Sequence, residues 1–525
     1  MDDIMTHEQI IKKYIPHYAE AAVHDNLIAF EVKPVEIVAV CESLYIHHQL
    51  PLKIITAFDE RRQTGLFRIM YVFGLPGKNI ILAPYIRVSE EFPSLTPSFH
   101  EASIHERKIR SFFGLNPTGH PDPRPLILHE NWPEDVFPLR KDFDWQNRPE
   151  LADGKFQYRK LGGEGIYEIP VGPVHAGIIE PGHFRFSVAG EEILLLEPRL
   201  GYSHKGTAKL FEILPLADKV RLAERISGDS SFSCALAFCL ALESLSETAI
   251  SEQDDYLRVV FGELERLANH LGDIGAIMTD TGFNFGGAQG GRLREQVMQI
   301  NERLTGSRFL RGVALVGGVS TGITEADIRE TAAAMDSLRE DFEQVMSVAE
   351  NSNSLNNRLK NAGILSQAVA RDHGVIGVAG RAVGLAVDAR VDYPYAAYQK
   401  LKMEIATEET GDVYARFCVR VSEVYTSIDL IRQALGALKP ARTAQGPREP
   451  SFAKDSFAAG IVEGWRGDIV CLVATDVDGG ISRVDVRDPS FLNWTALGYA
   501  GQENMVPDFP LINKSFNLSY SGNDL

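Results

Sequence analysis

The chain has 525 residues, 44% of them hydrophobic, and a formal net charge of −18. That length suffices for more than one domain with a buried core, and the acidic balance argues against a nucleic-acid role, because phosphate binding needs a surplus of Lys and Arg. The five cysteines, Cys41, Cys234, Cys239, Cys418 and Cys471, form no C-x-x-C pair, which fits a reducing cytosol and argues against a disulfide framework or a thiolate metal site.

The N-terminus, Met1-Asp2-Asp3-Ile4, has no basic region followed by an apolar run, so no signal peptide is expected. No stretch reaches the roughly eighteen uncharged apolar residues of a membrane helix, so work at a membrane would need another subunit as anchor. The patterning predicts a helix near residues 8–14 and strands over 52–58, 66–73 and 79–88, the last two joined by the turn signal Leu75-Pro76-Gly77-Lys78. This reads as a small α/β domain over residues 1–150. Polar and Gly-rich residues then mark a linker over 151–168.

Beyond it, strands are expected over 182–188 and 191–197, joined at Ala189-Gly190. Ser251-Glu252-Gln253-Asp254 is a capping signature before a helix with Leu257, Val260, Phe261, Leu264, Leu267, Leu271 and Ile274 at apolar positions. Further helices follow Thr324 and Asp412. Residues 169–525 thus read as a mainly helical domain with short strands, giving an α+β chain. The Gly286-Gly287 and Gly290-Gly291 pairs read as a flexible loop lacking the setting of a phosphate loop. Cys234 and Cys239 read as helix core packing. Glu263, Arg266 and His270, at i, i+3 and i+7, fit a buried or interfacial ion pair better than a relay.

The stretch from His105-Glu106-Arg107 through Phe112-Phe113-Gly114-Leu115, Gly119-His120-Pro121-Asp122-Pro123-Arg124 and Pro138-Leu139-Arg140-Lys141-Asp142-Phe143 resembles the signature of the C-type subunit of respiratory complex I. Ser111, Pro123 and Pro125 depart from it. A Gly- and Pro-rich loop dense in His, Asp and Arg makes a rigid charged surface, so Arg107, His120, Asp122, Arg124 and Arg140 are expected to dock a partner.

After the linker the resemblance shifts to the D-type subunit of complex I and to large subunits of energy-converting NiFe hydrogenases. It is carried, in order, by Gly172-Pro173-Val174-His175, Glu180-Pro181-Gly182-His183, Gly201-Tyr202-Ser203-His204-Lys205-Gly206, Phe261-Gly262-Glu263-Leu264-Glu265-Arg266, Gly411-Asp412-Val413-Tyr414-Ala415-Arg416 and Glu463-Gly464-Trp465-Arg466-Gly467-Asp468. The fused C-like and D-like parts resemble the formate-hydrogenlyase and hydrogenase-4 type. Two motifs decide what is missing. Arg225-Ile226-Ser227-Gly228-Asp229-Ser230 and Asp488-Pro489-Ser490-Phe491-Leu492-Asn493 resemble R-x-C-G-x-C and D-P-C-x-x-C, with Ser227, Ser230, Ser490 and Asn493 at the four cysteine positions. A nickel–iron centre needs soft thiolates, so this is expected to be a relative without hydrogen chemistry and with no metal or cofactor held by this chain.

The D-type subunit of complex I, which also lacks these thiolates, binds a quinone headgroup in the vacated cavity. The resemblance therefore implies a quinone, or another small acceptor, as possible substrate, and an iron–sulfur cluster in a B-like small partner subunit. It further implies H-like and antiporter-like membrane partners, ion translocation, NAD binding by the assembly, and a peripheral position on the cytoplasmic face of the inner membrane. The family's tyrosine and second histidine fall on Gly228 and Ile179, so His183 and Asp229 are the substitute catalytic candidates. Arg225, Ser227, Ser230, Ser490, Asn493 and His175 are expected to line the cavity. The alternative is a non-catalytic scaffold, which would tolerate a plugged apolar pocket where a catalytic subunit needs converging polar groups. The tail after Asp508 is expected to remain uncut and to pack onto the neighbouring subunit.

Overall fold

The computed structural model describes residues 6–18, 21–439, 446 and 450–525; residues 1–4, read above as carrying no signal peptide, lie outside them. Thr6 and Gln9 cap the first helix, α1 (His7–Tyr14), reciprocally. Five strands follow, β1 (Ala22–His24), β2 (Leu27–Glu31), β3 (Leu52–Asp59), β4 (Phe67–Leu75) and β5 (Ile80–Val88), in the sheet order β1-β2-β5-β4-β3. The expected hairpin is present: β4 and β5 pair antiparallel, turning at Gly77 with φ 73°, where a side chain would be strained. Strands β3 and β4 are buried along their whole length, as strands covered on both faces are. One face packs on a cluster that includes helix α2 (Ala102–Phe113).

The other face meets a sheet that the sequence reading missed. Strands β9 (Phe457–Gly464), β10 (Gly467–Thr475) and β11 (Ile481–Arg487) form an antiparallel meander. Leu27, Ile54, Met70 and Val72 of the first sheet share a core with Phe457, Ile461, Val470 and Leu472 of the second. A buried ion pair crosses the same boundary, Lys53 to Asp468 at 2.7 Å, and Lys108 of α2 reaches Asp485 of β11 at 2.8 Å. The run Ile469-Val470-Cys471-Leu472-Val473 carried the signal, but no alternation marks a strand buried on both faces.

Between the sheets in sequence lie β6 (Ile166–Val171), β7 (His183–Ala189) and β8 (Glu192–Arg199), paired in the order β8-β7-β6. The long helices are α3 (Ser231–Ser246), α4 (Glu252–Asp280), α5 (Asn284–Thr305), α6 (Glu325–Glu350) and α7 (Val413–Ala437). Ser251 caps α4 through its side chain, as the sequence implied, and Thr324 and Asp412, where helices were expected to start, cap α6 and α7 in the same way. Cys234 and Cys239 are buried in α3. The chain closes with α8 (Pro489–Ala500), α9 (Phe509–Phe516) and α10 (Tyr520–Asp524). Among the described residues no helix is long and apolar enough to cross a membrane.

The glycine pairs correct an expectation. Gly286, Gly287, Gly290 and Gly291 lie inside α5, not in a loop, and the first three let α5 approach Met278, Thr279 and Gly275 of α4 closely. A Cβ built on Gly290 would sit 2.6 Å from Gly275 Cα. Gly290→Ala is therefore expected to push the two helices apart and lower stability by about 1–3 kcal/mol, read from the denaturant midpoint; an unchanged midpoint would show that the helices separate freely.

Candidate functional site

The segment 225–230 links a short helix, Leu216–Ala223, to the start of α3. Ser227 and Ser230 are buried at 2% and 3% exposure. Arg225, expected beside them, is exposed; the arginine of the motif faces outward because the turn folds its two serines into the core. The second motif enters from β11. Asp488 caps α8 by accepting the Ser490 N–H at 2.8 Å, with Pro489 at the first helical position. Ser490 and Asn493 are fully buried.

The two motifs do converge, and the tail fills the space between them. Ser519 Oγ lies 2.8 Å from Ser227 Oγ, its N–H donates to Ser490 Oγ at 2.9 Å, and its carbonyl accepts the Trp494 Nε1–H at 3.1 Å. A Cβ on Gly522 would meet the Asp488 carboxyl carbon at 2.5 Å. Asn493 pairs its amide with Ile376, accepting its N–H at 3.0 Å and donating to its carbonyl at 3.1 Å. The tail packs into its own chain, because buried polar groups at both motifs need partners and the tail supplies them.

Asp229 is held at the outer edge. Arg466 donates to both its oxygens at 2.7 Å, Ser227 Oγ donates at 2.8 Å and Ser230 Oγ at 3.4 Å. Burial alone would raise its pKa, but the Arg466 charge and these hydrogen bonds outweigh it and hold the carboxyl below the ordinary range. Its side chain keeps 36% of its surface. Asp229 is therefore an anion and an acceptor, not a stored acid.

His183 opens β7. Its Nδ1 lies 3.3 Å from the Gly172 carbonyl, its buried Nε2 has no partner among the described residues, and burial lowers its pKa, so the ring is neutral. Tyr158 packs on it at 5.4 Å between centroids. His175 Nε2 bonds the Gly182 carbonyl at 2.7 Å, and Glu180 accepts the Ser521 N–H at 3.1 Å. The β6–β7 loop thereby rests on the tail, while Val174 and Ile178 project with 84% and 101% exposure.

The residues expected to dock a partner are engaged within the chain. Arg107 donates to the Arg124 and Pro125 carbonyls, Arg124 grips Asp122 and reaches Glu197 of β8 at 2.6 Å, His120 contacts Ser103, and Arg140 donates to the Phe113 carbonyl at 2.7 Å. Glu263, Arg266 and His270 are wholly buried, with Glu423 bonded to both Arg266 and His270. The ion-pair reading of their spacing holds.

Does the pocket fit a nickel–iron centre? It does not: the four positions offer neutral oxygens and an amide, already hydrogen-bonded to Asp229, to Ile376 and to the tail. Among the described residues no group of three or more His, Cys, Asp or Glu is placed to hold a metal ion. Sequence reasoning missed Ser519 and Arg466 as the groups that complete the site, since both act across more than two hundred positions of chain separation.

Residues 30–149 match the family described as respiratory-chain NADH dehydrogenase, 30 Kd subunit, and residues 280–457 the 49 Kd subunit. Formate hydrogenlyase subunit 5 of Escherichia coli (strain K12) is 33% identical, covering 92% of this chain and 86% of the relative. Hydrogenase-4 component G of the same organism is 32% identical with the same coverage. The fused C/D-type NADH-quinone oxidoreductase chain of Phocaeicola vulgatus is 29% identical over 73% of this chain and 77% of its own. With its 30 Kd-like sheet fused to a 49 Kd-like helical region, the chain belongs to the complex I-like family of subunits that includes formate hydrogenlyase subunit 5 and hydrogenase-4 component G.

Proposed function

We propose that this chain is a metal-free core subunit of a membrane-bound, complex I-like oxidoreductase. Electrons would reach it from the iron–sulfur cluster of a B-like partner subunit and pass to a quinone or another small acceptor. H-like and antiporter-like membrane partners would hold it at the cytoplasmic face and couple the reaction to ion movement. The observation that carries this reading is the Ser519-filled pocket, in which every thiolate position holds Ser or Asn. It supports oxidoreductase architecture without hydrogen chemistry. The acceptor side draws support from the β6–β7 loop, where exposed Val174 and Ile178 offer apolar surface and neutral His183 has an unpartnered Nε2. NAD chemistry, if the assembly performs it, belongs to another subunit, since the glycine pairs here are helical.

The intact membrane complex tests this. Metal analysis is expected to find iron from the partner subunit and no stoichiometric nickel; nickel at one per complex would overturn the reading. Added quinone is expected to reoxidise the reduced cluster, and His183→Ala to slow this by about 100-fold.

The scaffold reading has one observation in its favour, the plug itself. Ser519 meets both motifs through hydrogen bonds, however, where a mere filler would make only apolar contacts. A complex without quinone response, whose assembly nevertheless fails without this chain, would establish the scaffold.

A further inference from the structure

The hydroxyls around the plug form a row. Ser521 Oγ lies 3.4 Å from Ser519 Oγ, Ser519 Oγ lies 2.8 Å from Ser227 Oγ, and Ser227 Oγ donates to Asp229 Oδ1 at 2.8 Å. Since Ser227 gives its one hydrogen to Asp229, its lone pair faces Ser519, which must donate to it and can then accept from Ser521. The remaining bonds pin the row without taking its hydrogens: Gly522 N–H donates to Ser519 Oγ at 2.9 Å, and Ser519 N–H donates to Ser490 Oγ.

The two ends reach different surroundings. Asp229 is partly open to solvent. Ser521 is half-buried beside Glu180, at the foot of the β6–β7 loop that carries His175. Through an otherwise buried pocket, a row of three serine hydroxyls thus joins Asp229 to Ser521, whose backbone N–H is bonded to Glu180.

We propose that the vestigial metal pocket works as a serine hydroxyl relay that moves protons between Asp229 and Ser521, at the foot of the β6–β7 loop. In each passage every serine oxygen gains one hydrogen and gives up one. The O–H bond of the donor at one end breaks and an O–H bond forms at the other, no electron moves in the row, and the hydroxyls rotate back before the next proton. A carboxylate held low by Arg466 suits the outer end, because it takes up a proton in passing and does not retain it. The relay rests on the acceptor reading above, since reduction of a quinone to a quinol consumes protons along with electrons.

Ser519→Ala removes the central oxygen and Ser519→Thr restores one. In the intact complex, quinone-dependent cluster reoxidation is expected to fall by about tenfold or more in Ser519→Ala and Ser227→Ala, with a larger solvent deuterium effect, and to recover in Ser519→Thr. Equal rates and equal isotope effects in all variants, with quinone reduction intact, would overturn the relay and leave the acceptor reading standing. A second measurement needs no turnover. In the full chain, deuterium exchange of the Ser519 hydroxyl is expected to slow by at least about tenfold in the Ser227→Ala/Ser521→Ala double variant, which closes both ends of the row. Unchanged exchange there overturns the relay even if the complex proves not to reduce quinone.

Discussion

Replacing Glu423 with alanine is expected to lower the unfolding free energy of the full chain by about 3–5 kcal/mol, seen as a large drop in the denaturant midpoint. Glu423 sits on α7 at 2% exposure. It accepts from Arg266 Nη2 and lies 2.8 Å from His270 Nε2, while Arg381 Nε approaches its other oxygen at 2.8 Å. Burial would raise its pKa, but Arg381, Arg266 and His270 outweigh that and keep it ionised. One carboxylate thus serves two guanidinium groups and an imidazole, none of which reaches water. Its loss leaves Arg266 with Glu263 at 3.5 Å and the Gly464 carbonyl at 2.7 Å, and Arg381 with Glu463 at 2.9 Å. Those residual partners set the upper bound. A loss under about 1 kcal/mol would mean that they alone hold both arginines.

This cluster shows how far the chain could be read without coordinates. Glu263, Arg266 and His270 share a helix, so their spacing alone placed them on one face. Glu423 lies more than 150 positions on, and no local pattern ties it to them. The same distinction runs through the fold. Ser251, Thr324 and Asp412 act on N–H groups three residues away, and all three helix starts, with the cap at Ser251, were legible. The β9–β11 sheet is buried on both faces by the first sheet and by α3, so it lacks the alternation that reveals a strand. The glycine pairs were misread because small residues serve loops and close helix contacts alike, and only Gly275 opposite distinguishes them. At the site, the missing thiolates were legible from two short motifs. The outward turn of Arg225 and the arrival of Ser519 depend on tertiary packing.

Removing residues 518–525 is expected to cost more than any single substitution, about 5 kcal/mol or more. The segment buries Leu518, Tyr520 and Leu525, each at 5–6% exposure, and full burial of an apolar side chain stabilises by about 1.5–3 kcal/mol. It also supplies Asp524, whose carboxylate accepts the Gly201 and Ser203 N–H groups at 2.9 and 2.8 Å. Without it, Ser227 and Ser490 lose their tail partner and Trp494 its acceptor, each a buried polar group left bare at about 1–3 kcal/mol. Water entering the emptied pocket would recover part of that. The shortened chain is therefore expected to unfold at a much lower denaturant concentration and to show Trp494 in a wetter environment by fluorescence. Ser519→Ala, which removes the hydroxyl and keeps the backbone bonds, should lose only about 1 kcal/mol. A shortened chain as stable as the full one would mean that the pocket closes without its plug. The polar groups of the two motifs would then have partners of their own, and the tail would be a passenger rather than the element that completes the site.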